Sequence, residues 1–224
     1  MRVGIVGAGR IGGNAARLFA QAGHEVMVSF SRDLDKLERF AATIGATVGS
    51  PAEAARFGDV LMLSVPWTLV DDVLAEIGPL AGKVVIDTTN HFAPGGLADL
   101  DGLTAAQVNQ ARMPGARLVK AFNTLTAGFQ AAAAGRTGPD RVVMFLCGDD
   151  PAAKGVVSGL VEDAGFSAVD LGSLADGRVM EAPRRPGAVY GEEYHEADAR
   201  RFVAEIRAGL REPAVRSSSP SAGS

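Results

Sequence analysis

Short apolar runs alternate along this chain with segments whose apolar residues recur at helical spacing. Residues 60–65 and 84–86 are almost continuously apolar, as strands buried on both faces of a parallel sheet are. Residues 33–44 instead place their apolar side chains three to four positions apart, which is the period of one helix face. Alternating strands and helices predict an α/β fold with a doubly wound, mostly parallel sheet.

The same pattern assigns elements along most of the chain. The predicted strands cover residues 2–6, 25–28, 46–48, 60–65, 84–87, 117–121, 141–147 and 167–171. The predicted helices cover residues 11–22, 33–44, 51–57, 68–77, a stretch from about 104, a stretch ending at 134, 151–164 and 196–210. Local signals support these boundaries, since Ser50 and Glu53 have the spacing of a capping box and Pro51 suits the first helical position.

A glycine-rich turn joins the first predicted strand to the first helix. Its sequence is Gly7-Ala8-Gly9-Arg10-Ile11-Gly12. In a strand–turn–helix of this kind, Gly7 permits the tight turn, Gly9 lets backbone N–H groups approach a pyrophosphate, and Gly12 lets the helix pack closely on the strand. The helix N-terminus adds unpaired N–H groups and a partial positive charge. The motif therefore predicts a Rossmann-type dinucleotide site.

The end of the second predicted strand indicates which dinucleotide binds. An NAD site would place a carboxylate there to hold the ribose 2′-hydroxyl, but this chain has Ser31 and Arg32, with Lys36 one turn further on. A hydroxyl and two cations favour a 2′-phosphate and hence NADP(H). Asp33 is the counter-argument, and we interpret it as a residue that stabilises the start of the following helix.

Ligands of an open parallel sheet bind outside the carboxyl ends of its strands. Five predicted loops follow such ends and should line one crevice: residues 7–12, 29–32, 64–68, 88–91 and 121–124. Their side chains are hydroxyls, amides and aromatic rings, and His91 is the one obvious group that titrates near neutral pH. Hydride transfer suits such a crevice, because it requires stacking and orientation but no protein nucleophile.

Composition narrows the possible partners. The chain of 224 residues carries a formal net charge of −4, which argues against a nucleic-acid partner. It has no apolar run approaching the ~18 residues of a membrane span and no signal-peptide pattern. The single Cys147 cannot form an internal disulfide. The three histidines lack metal-ligand spacing, so no metal site is predicted, and we expect a cytoplasmic protein.

Several segments together resemble the F420-dependent NADP oxidoreductases and related predicted dinucleotide-binding reductases, and more distantly the cytosolic domain of STEAP-type metalloreductases. The resemblance spans roughly residues 1–172 and is carried by the glycine turn, by Ser31-Arg32 with Lys36, by Ser64-Val65-Pro66-Trp67 and, most specifically, by Val119-Lys120-Ala121-Phe122-Asn123-Thr124.

The resemblance implies roles for individual residues of the crevice. Ser31, Arg32 and Lys36 would hold the 2′-phosphate. The residues expected to flank the ribose and nicotinamide, or to lie near the carboxamide, are Val65, Pro66, Trp67, Ala121, Phe122 and Asn123. We include Asn90 among the cofactor-binding residues because it lies on a crevice loop. The same resemblance implies F420 as a second substrate.

The sequence divides the chain into three predicted regions. Residues 1–172 form the predicted NADP-binding unit, residues 173–212 a loop and short helical appendage that completes the acceptor pocket, and residues 213–224 a flexible tail rich in Ser, Pro, Gly and Ala. The resemblance does not extend beyond about residue 171, so the role of residues 173–212 stays open.

Alternative readings remain for the candidate residues. His91 would assist proton transfer or be structural; Trp67 would contact the ligand or only pack. Arg184 and Arg185 would meet an anionic tail of the acceptor or form a solvated face. Cys147 is expected in the core, and Lys120 is expected to point away or pair. A carbonyl reductase would require a proton donor such as a tyrosine, but Tyr190 and Tyr194 lie outside the five loops.

The sequence predicts an NADP(H)-dependent oxidoreductase that transfers a hydride between NADP(H) and a bound F420-like deazaflavin. Two alternatives stay open: an NADPH-dependent reductase of a flavin, an imine or carbonyl metabolite or a metal chelate, and a non-catalytic NADP(H)-binding protein. We expect a homodimer, because the C-terminal helix would require a partner surface. The acceptor and the physiological direction are not determined by the sequence.

Overall fold

The computed structural model describes residues 1–31 and 33–210. Arg32 and the tail 213–224, on both of which predictions were made, lie outside the described residues. The strands are β1 (Arg2–Val6), β2 (Glu25–Ser29), β3 (Thr47–Val48), β4 (Val60–Leu63), β5 (Val84–Asp87), β6 (Phe92–Ala93), β7 (Gly96–Leu97), β8 (Arg117–Lys120), β9 (Val143–Gly148) and β10 (Ser167–Asp170). The helices are α1 (Arg10–Gln21), α2 (Leu34–Ile44), α3 (Pro51–Phe57), α4 (Val70–Ile77), α5 (Ala105–Arg112), α6 (Ala127–Ala133), α7 (Pro151–Asp163) and α8 (Glu196–Arg207).

Eight of these strands form one sheet in the order β10-β9-β8-β5-β4-β1-β2-β3. The strands from β3 to β8 across this order are parallel, with β1 between β2 and β4. β9 pairs antiparallel with β8, and β10 pairs parallel with β9. The doubly wound, mostly parallel α/β fold predicted from the alternating pattern is thus confirmed.

Side chains alternate between the two faces of the sheet and form two cores. In β4, Val60 and Met62 belong to the core under α1, α2 and α7, while Leu61 and Leu63 belong to the core under α3, α4, α5 and α8. This explains why the strand is continuously apolar, since both of its faces are covered by helices. The period of two along the strand decides which helix layer each side chain meets.

Local sequence signals account for most helix starts. Ser50 and Glu53 form the predicted capping box at α3, and Thr104 forms another with Gln107 at α5. The carboxylate of Asp33 accepts a hydrogen bond from the backbone N–H of Lys36, which confirms it as the N-cap of α2. The predicted helix 68–77 instead begins with a 3-10 turn (Trp67–Leu69).

The region after β10 packs into the main core. A 3-10 segment (Leu174–Met180) buries Leu174, Val179 and Met180 in the same core as Phe145 of β9. The apolar face of α8 joins that core through Phe202 and other residues. The sequence predicts a loop and short helical appendage over residues 173–212, and the 3-10 segment forms the start of this region.

The described residues contain neither a membrane-spanning helix nor a metal-ligand cluster. Among residues 1–31 and 33–210, no helix is long and apolar enough to cross a bilayer. In the same residues, no group of three or more His, Cys, Asp or Glu side chains is placed to hold a metal ion.

Candidate functional site

The glycine turn after β1 has the geometry that a bound pyrophosphate requires. Gly7 has φ +102°, a conformation that L side chains rarely adopt, and its N–H donates to Ser29 O at 3.0 Å. A Cβ on Gly12 would lie 2.1 Å from the carbonyl oxygen of Gly7, so α1 and the turn approach too closely for any side chain there. A Cβ on Gly9, in contrast, would meet no described atom within 4 Å. The turn therefore leaves no space for a side chain at Gly12 and leaves open space at Gly9.

The start of α1 faces this open space. Its N-cap is Gly9, and no described side chain caps it. The first N–H groups of α1 have no intrahelical partners and carry the positive end of the helix dipole. Ala8 and Ile11 are half-buried and Arg10 is exposed. This end of the helix can receive an anion.

Two candidate 2′-phosphate residues are described: Ser31 follows β2, and Lys36 lies in the first turn of α2. Ser31 and Lys36 are exposed, and the Ser31 hydroxyl donates to the carbonyl of Asp33 at 3.0 Å. The Asp33 carboxylate is turned to the Lys36 N–H at 2.9 Å. Asp33 therefore caps a helix and is not required as a ribose ligand, which removes the argument for NAD that its charge raised.

The loop after β4 is partly packed and partly exposed. Pro66 is exposed, whereas Val65 and Trp67 are buried. The indole of Trp67 lies between the guanidinium of Arg112, whose Cζ is 4.4 Å from its centroid, and the ring of His91 at 6.4 Å in an edge arrangement. Trp67 is thus buried and packs against Arg112 and His91.

His91 is 3% exposed. Its backbone carbonyl accepts from Ala98 N–H at 2.9 Å, and its ring lies against Trp67. His91 is the catalytic candidate of the crevice loops because it is their one obvious group that titrates near neutral pH. The burial of its ring favours the structural alternative.

Two amide side chains connect the loops after β5 and β8. Asn90 Nδ2 donates to Asn123 O at 3.1 Å, and Asn123 Nδ2 donates to Asn90 Oδ1 at 3.3 Å. Asn123 Nδ2 also donates to Met180 O at 2.7 Å. Asn123 Oδ1 is buried and has no hydrogen-bond partner among the described residues. A bound ligand or an ordered water would satisfy a buried acceptor of this kind.

Phe122 turns away from the crevice. Its backbone has φ +61°, a costly conformation for a residue with a large side chain. Its ring is fully buried and packs edge-on against Phe19 of α1 at 5.8 Å. Ala121 is fully buried as well. Phe122 and Ala121 can therefore reach a cofactor only through their main chain.

Sequence analysis missed a buried charge cluster behind these loops. Lys120 Nζ lies 2.9 Å from Asp87 Oδ2 and 3.9 Å from Glu181 Oε1, and it donates to Thr89 O at 2.8 Å. Lys120 and Asp87 are fully buried and Glu181 is 4% exposed. Burial alone would lower the pKa of Lys120, but the two carboxylates and the Asp87 hydrogen bond outweigh it and raise the pKa. Lys120 was expected to point away or pair. The sequence around Glu181 has no pattern that would identify it as a second carboxylate of this cluster.

The remaining candidates occupy several environments. Cys147 is a buried core residue, as expected. Arg185 donates to the carbonyls of Glu181 at 2.8 Å and Pro183 at 2.9 Å, so it supports its own loop. Arg184 pairs with Glu192 at 2.6 Å on the surface. Both arginines line a surface cavity of about 540 Å³ together with Pro186, Gly187, Ala188, Glu192, Glu193 and Tyr194.

The two tyrosines differ in position. Tyr194 packs against Phe145 and Phe202 in the core. Tyr190 is half-buried, and the next residue, Gly191, donates its N–H to the carbonyl of Thr124 at 2.8 Å. Burial raises the pKa of Tyr190. The chain thus brings Tyr190 beside a crevice loop that is distant in sequence.

Comparison with known proteins agrees with this architecture. Residues 2–91 match the family model described as NADP oxidoreductase coenzyme F420-dependent. The chain is 30% identical to the metalloreductase STEAP3 of Rattus norvegicus over 181 residues, which are 81% of this chain and 36% of that protein. The chain therefore spans about a third of that curated relative.

Two solved structures share the fold. A hypothetical protein of Sinorhizobium meliloti superimposes with a TM-score of 0.77 at 29% identity, covering 88% of this chain and 95% of that one. A putative F420-dependent NADP-reductase from Arthrobacter superimposes with a TM-score of 0.69 at 23% identity, covering 78% and 86%. The second likeness supports the fold alone.

Proposed function

We propose a function for this chain on the premise that it belongs, through residues 2–91, to the F420-dependent NADP oxidoreductases and related dinucleotide-binding reductases. The chain binds NADP(H) in the crevice at the carboxyl ends of β1, β2, β4, β5 and β8. It transfers a hydride between NADP(H) and a bound F420-like deazaflavin. The observation that carries this proposal is the turn that is closed at Gly12 and open at Gly9.

The residues present fit each part of the dinucleotide. Gly9 and the first N–H groups of α1 would receive the pyrophosphate. Ser31 and Lys36, together with Arg32, would hold the 2′-phosphate, since Asp33 is engaged as a cap. The buried Asn123 Oδ1 would accept a hydrogen bond from the carboxamide. Pro66, exposed on its loop, would border the ribose.

The chain's own residues orient the reactants and exclude water. When bound, NADP(H) supplies or accepts the hydride. The amides of Asn90 and Asn123 hold the loops after β5 and β8 together. In the loop after β4, Trp67 packs against Arg112. Such orientation is sufficient for direct hydride transfer between two stacked rings.

The decisive experiment mixes the purified chain with NADP⁺ and reduced F420 and records absorbance. The nicotinamide band of NADPH and the band of oxidised F420 should grow together in equal molar amounts. NADPH oxidation by a flavin, a ferric chelate, an imine or a carbonyl, with no reaction of F420, would exclude the deazaflavin. Tight NADPH binding without turnover of any acceptor would show a non-catalytic binding protein.

A second candidate is reduction of an imine or carbonyl, which Tyr190 favours. Such an acceptor takes up a proton with the hydride, and a half-buried phenol with a raised pKa stays protonated near neutral pH. Tyr190→Phe should then lower imine or carbonyl turnover by roughly 10²–10⁴-fold, the usual contribution of a general acid. The same variant should leave F420 turnover close to wild type. A homodimer and a cytoplasmic location stay predictions.

A further inference from the structure

Glu181 anchors the segment 178–182 to the body of the sheet. Its Oε2 accepts from Ala105 N–H at 3.0 Å and its Oε1 from Ala106 N–H at 3.1 Å, both at the start of α5. Its Oε1 also lies 3.9 Å from Lys120 Nζ. One carboxylate thus ties the C-terminal region to α5 and β8 at the same time.

The surrounding charges explain why the carboxylate stays in this buried position. Lys120 is shared between Asp87 and Glu181, so the cluster holds one cation and two carboxylates. Asp87 is further satisfied by Asn109 Nδ2 at 3.1 Å and by Thr89 N–H at 2.9 Å. The positive end of α5 compensates the additional negative charge of Glu181.

The residues on either side of Glu181 form main-chain hydrogen bonds to the side-chain amides of Asn123 and Asn90. Met180 O accepts from Asn123 Nδ2 at 2.7 Å, and Ala182 N–H donates to Asn90 Oδ1 at 3.2 Å. These bonds come from the two residues that flank the anchored side chain. The position of the amides therefore depends on where the carboxylate of Glu181 is fixed.

We propose that Glu181 is a positioning residue for the nicotinamide end of the cofactor site. It acts through the backbone of residues 180 and 182, which orients Asn90 and Asn123. The inference rests on the proposed function, because it requires these amides to meet the nicotinamide. Glu181 itself touches neither cofactor nor acceptor.

The test compares two ligands of the whole chain. NADPH contains the nicotinamide, whereas 2′,5′-ADP contains only the adenosine half with its 2′-phosphate. Glu181→Gln keeps the side-chain size but removes the charge, and it turns an amide N–H₂ towards one of two backbone donors. We expect NADPH affinity to fall roughly five- to tenfold, the value of about one hydrogen bond, and 2′,5′-ADP affinity to stay within about twofold.

Two controls isolate the effect. Glu196→Gln removes an exposed carboxylate that pairs with Arg200 on α8, and neither affinity should change. Should Glu181→Gln fail to fold, Glu181→Asp carries the same test, because it keeps the charge and only withdraws the carboxylate from α5. Equal losses for both ligands, or no loss for NADPH, would overturn the proposal.

A double-mutant cycle tests the route. If Glu181 acts through the amides, Glu181→Gln should change NADPH affinity less than about twofold in a background that carries both Asn90→Ala and Asn123→Ala. A full effect in that background would refute the proposal. The failure of the proposed NADP(H) site, on which this inference rests, is a separate result, because the wild-type chain would then bind neither NADPH nor 2′,5′-ADP.

Discussion

The carboxylate of Asp33 accepts a hydrogen bond from the backbone N–H of Lys36 at 2.9 Å. This contact distinguishes two possible roles of Asp33, as a ligand of the ribose or as the cap of α2. A carboxylate that reads the ribose 2′-hydroxyl would point into the crevice, but this one completes the first turn of α2. Asp33 therefore acts as a helix cap, and the proposed 2′-phosphate site does not depend on it.

Removal of the Arg32 guanidinium should weaken NADPH selectively. A hydrogen bond to a charged group contributes about 1.5–3 kcal/mol, so Arg32→Ala should lower NADPH affinity roughly ten- to a hundredfold and hardly change NADH affinity. Titration of both cofactors by fluorescence measures the difference. Arg39→Ala, which removes a guanidinium from an exposed position of α2, is the matched control. Equal losses for both cofactors would show that Arg32 does not contact the phosphate.

Alanine at position 12 should lower stability, whereas alanine at position 9 should chiefly weaken NADPH binding. A Cβ at Gly12 would lie 2.1 Å from Gly7 O, which cannot move without breaking the turn, so Gly12→Ala should reduce the free energy of unfolding by about 1–3 kcal/mol. Gly9→Ala fills open space and should cost at most about 1 kcal/mol as a poorer N-cap, but it should weaken NADPH strongly. Urea unfolding and NADPH titration of the two variants test this contrast. Loss of stability in both, or NADPH binding retained in Gly9→Ala, would contradict it.

Trp67 should matter for stability more than for cofactor binding. It is 7% exposed and packed between Arg112 and His91, so Trp67→Ala should reduce the free energy of unfolding by about 3–5 kcal/mol. Trp67→Phe keeps most of the packing and should change NADPH affinity less than about threefold. Chemical denaturation and NADPH titration give both quantities. A selective loss of NADPH affinity in Trp67→Phe would instead assign a ligand contact to the indole.

Asp150 should contribute stability that acid removes. The hydrogen bond from Arg117 at 2.5 Å, and then the backbone N–H of Ala153, lower the pKa of this carboxylate in the folded chain. The folded state therefore holds the proton less tightly than the unfolded state, whose Asp pKa is about 3.9, and the contribution is complete above that pH and declines below it.

Denaturation curves of Asp150→Asn test this sign. Asparagine keeps the N-cap of α7, so the wild type should exceed the variant in stability at pH 7, and the difference should shrink as the pH falls below about 4. The exposed Asp140→Asn provides the control and should show no such trend. A difference that is independent of pH would mean that the charge of Asp150 does not stabilise the fold.

Sequence reasoning identified the elements whose signals are local. The Gly7–Gly12 turn follows a short apolar strand, and the capping pair Ser50 and Glu53 is three residues apart, so neighbouring residues decide both structures. Lys120 was expected to point away or pair, and the structure shows the pairing. What could not be seen was the second carboxylate of its cluster.

Long-range pairing decided the rest. Glu181 meets Lys120 across 61 positions of sequence in a segment without periodicity, and the buried ring of His91 packs against Trp67, which is 24 positions away. The direction of β9, antiparallel to β8, is likewise set by pairing and not by the apolar pattern of the strand.

The sequence by itself determined the α/β class, the nucleotide turn and the helix caps, since these depend on the spacing of apolar residues and on side chains within one helical turn. Only the tertiary structure decided which side chains of the crevice face outward and how the C-terminal region is anchored. These features depend on burial and on hydrogen bonds between distant segments, which exist only once the chain has folded.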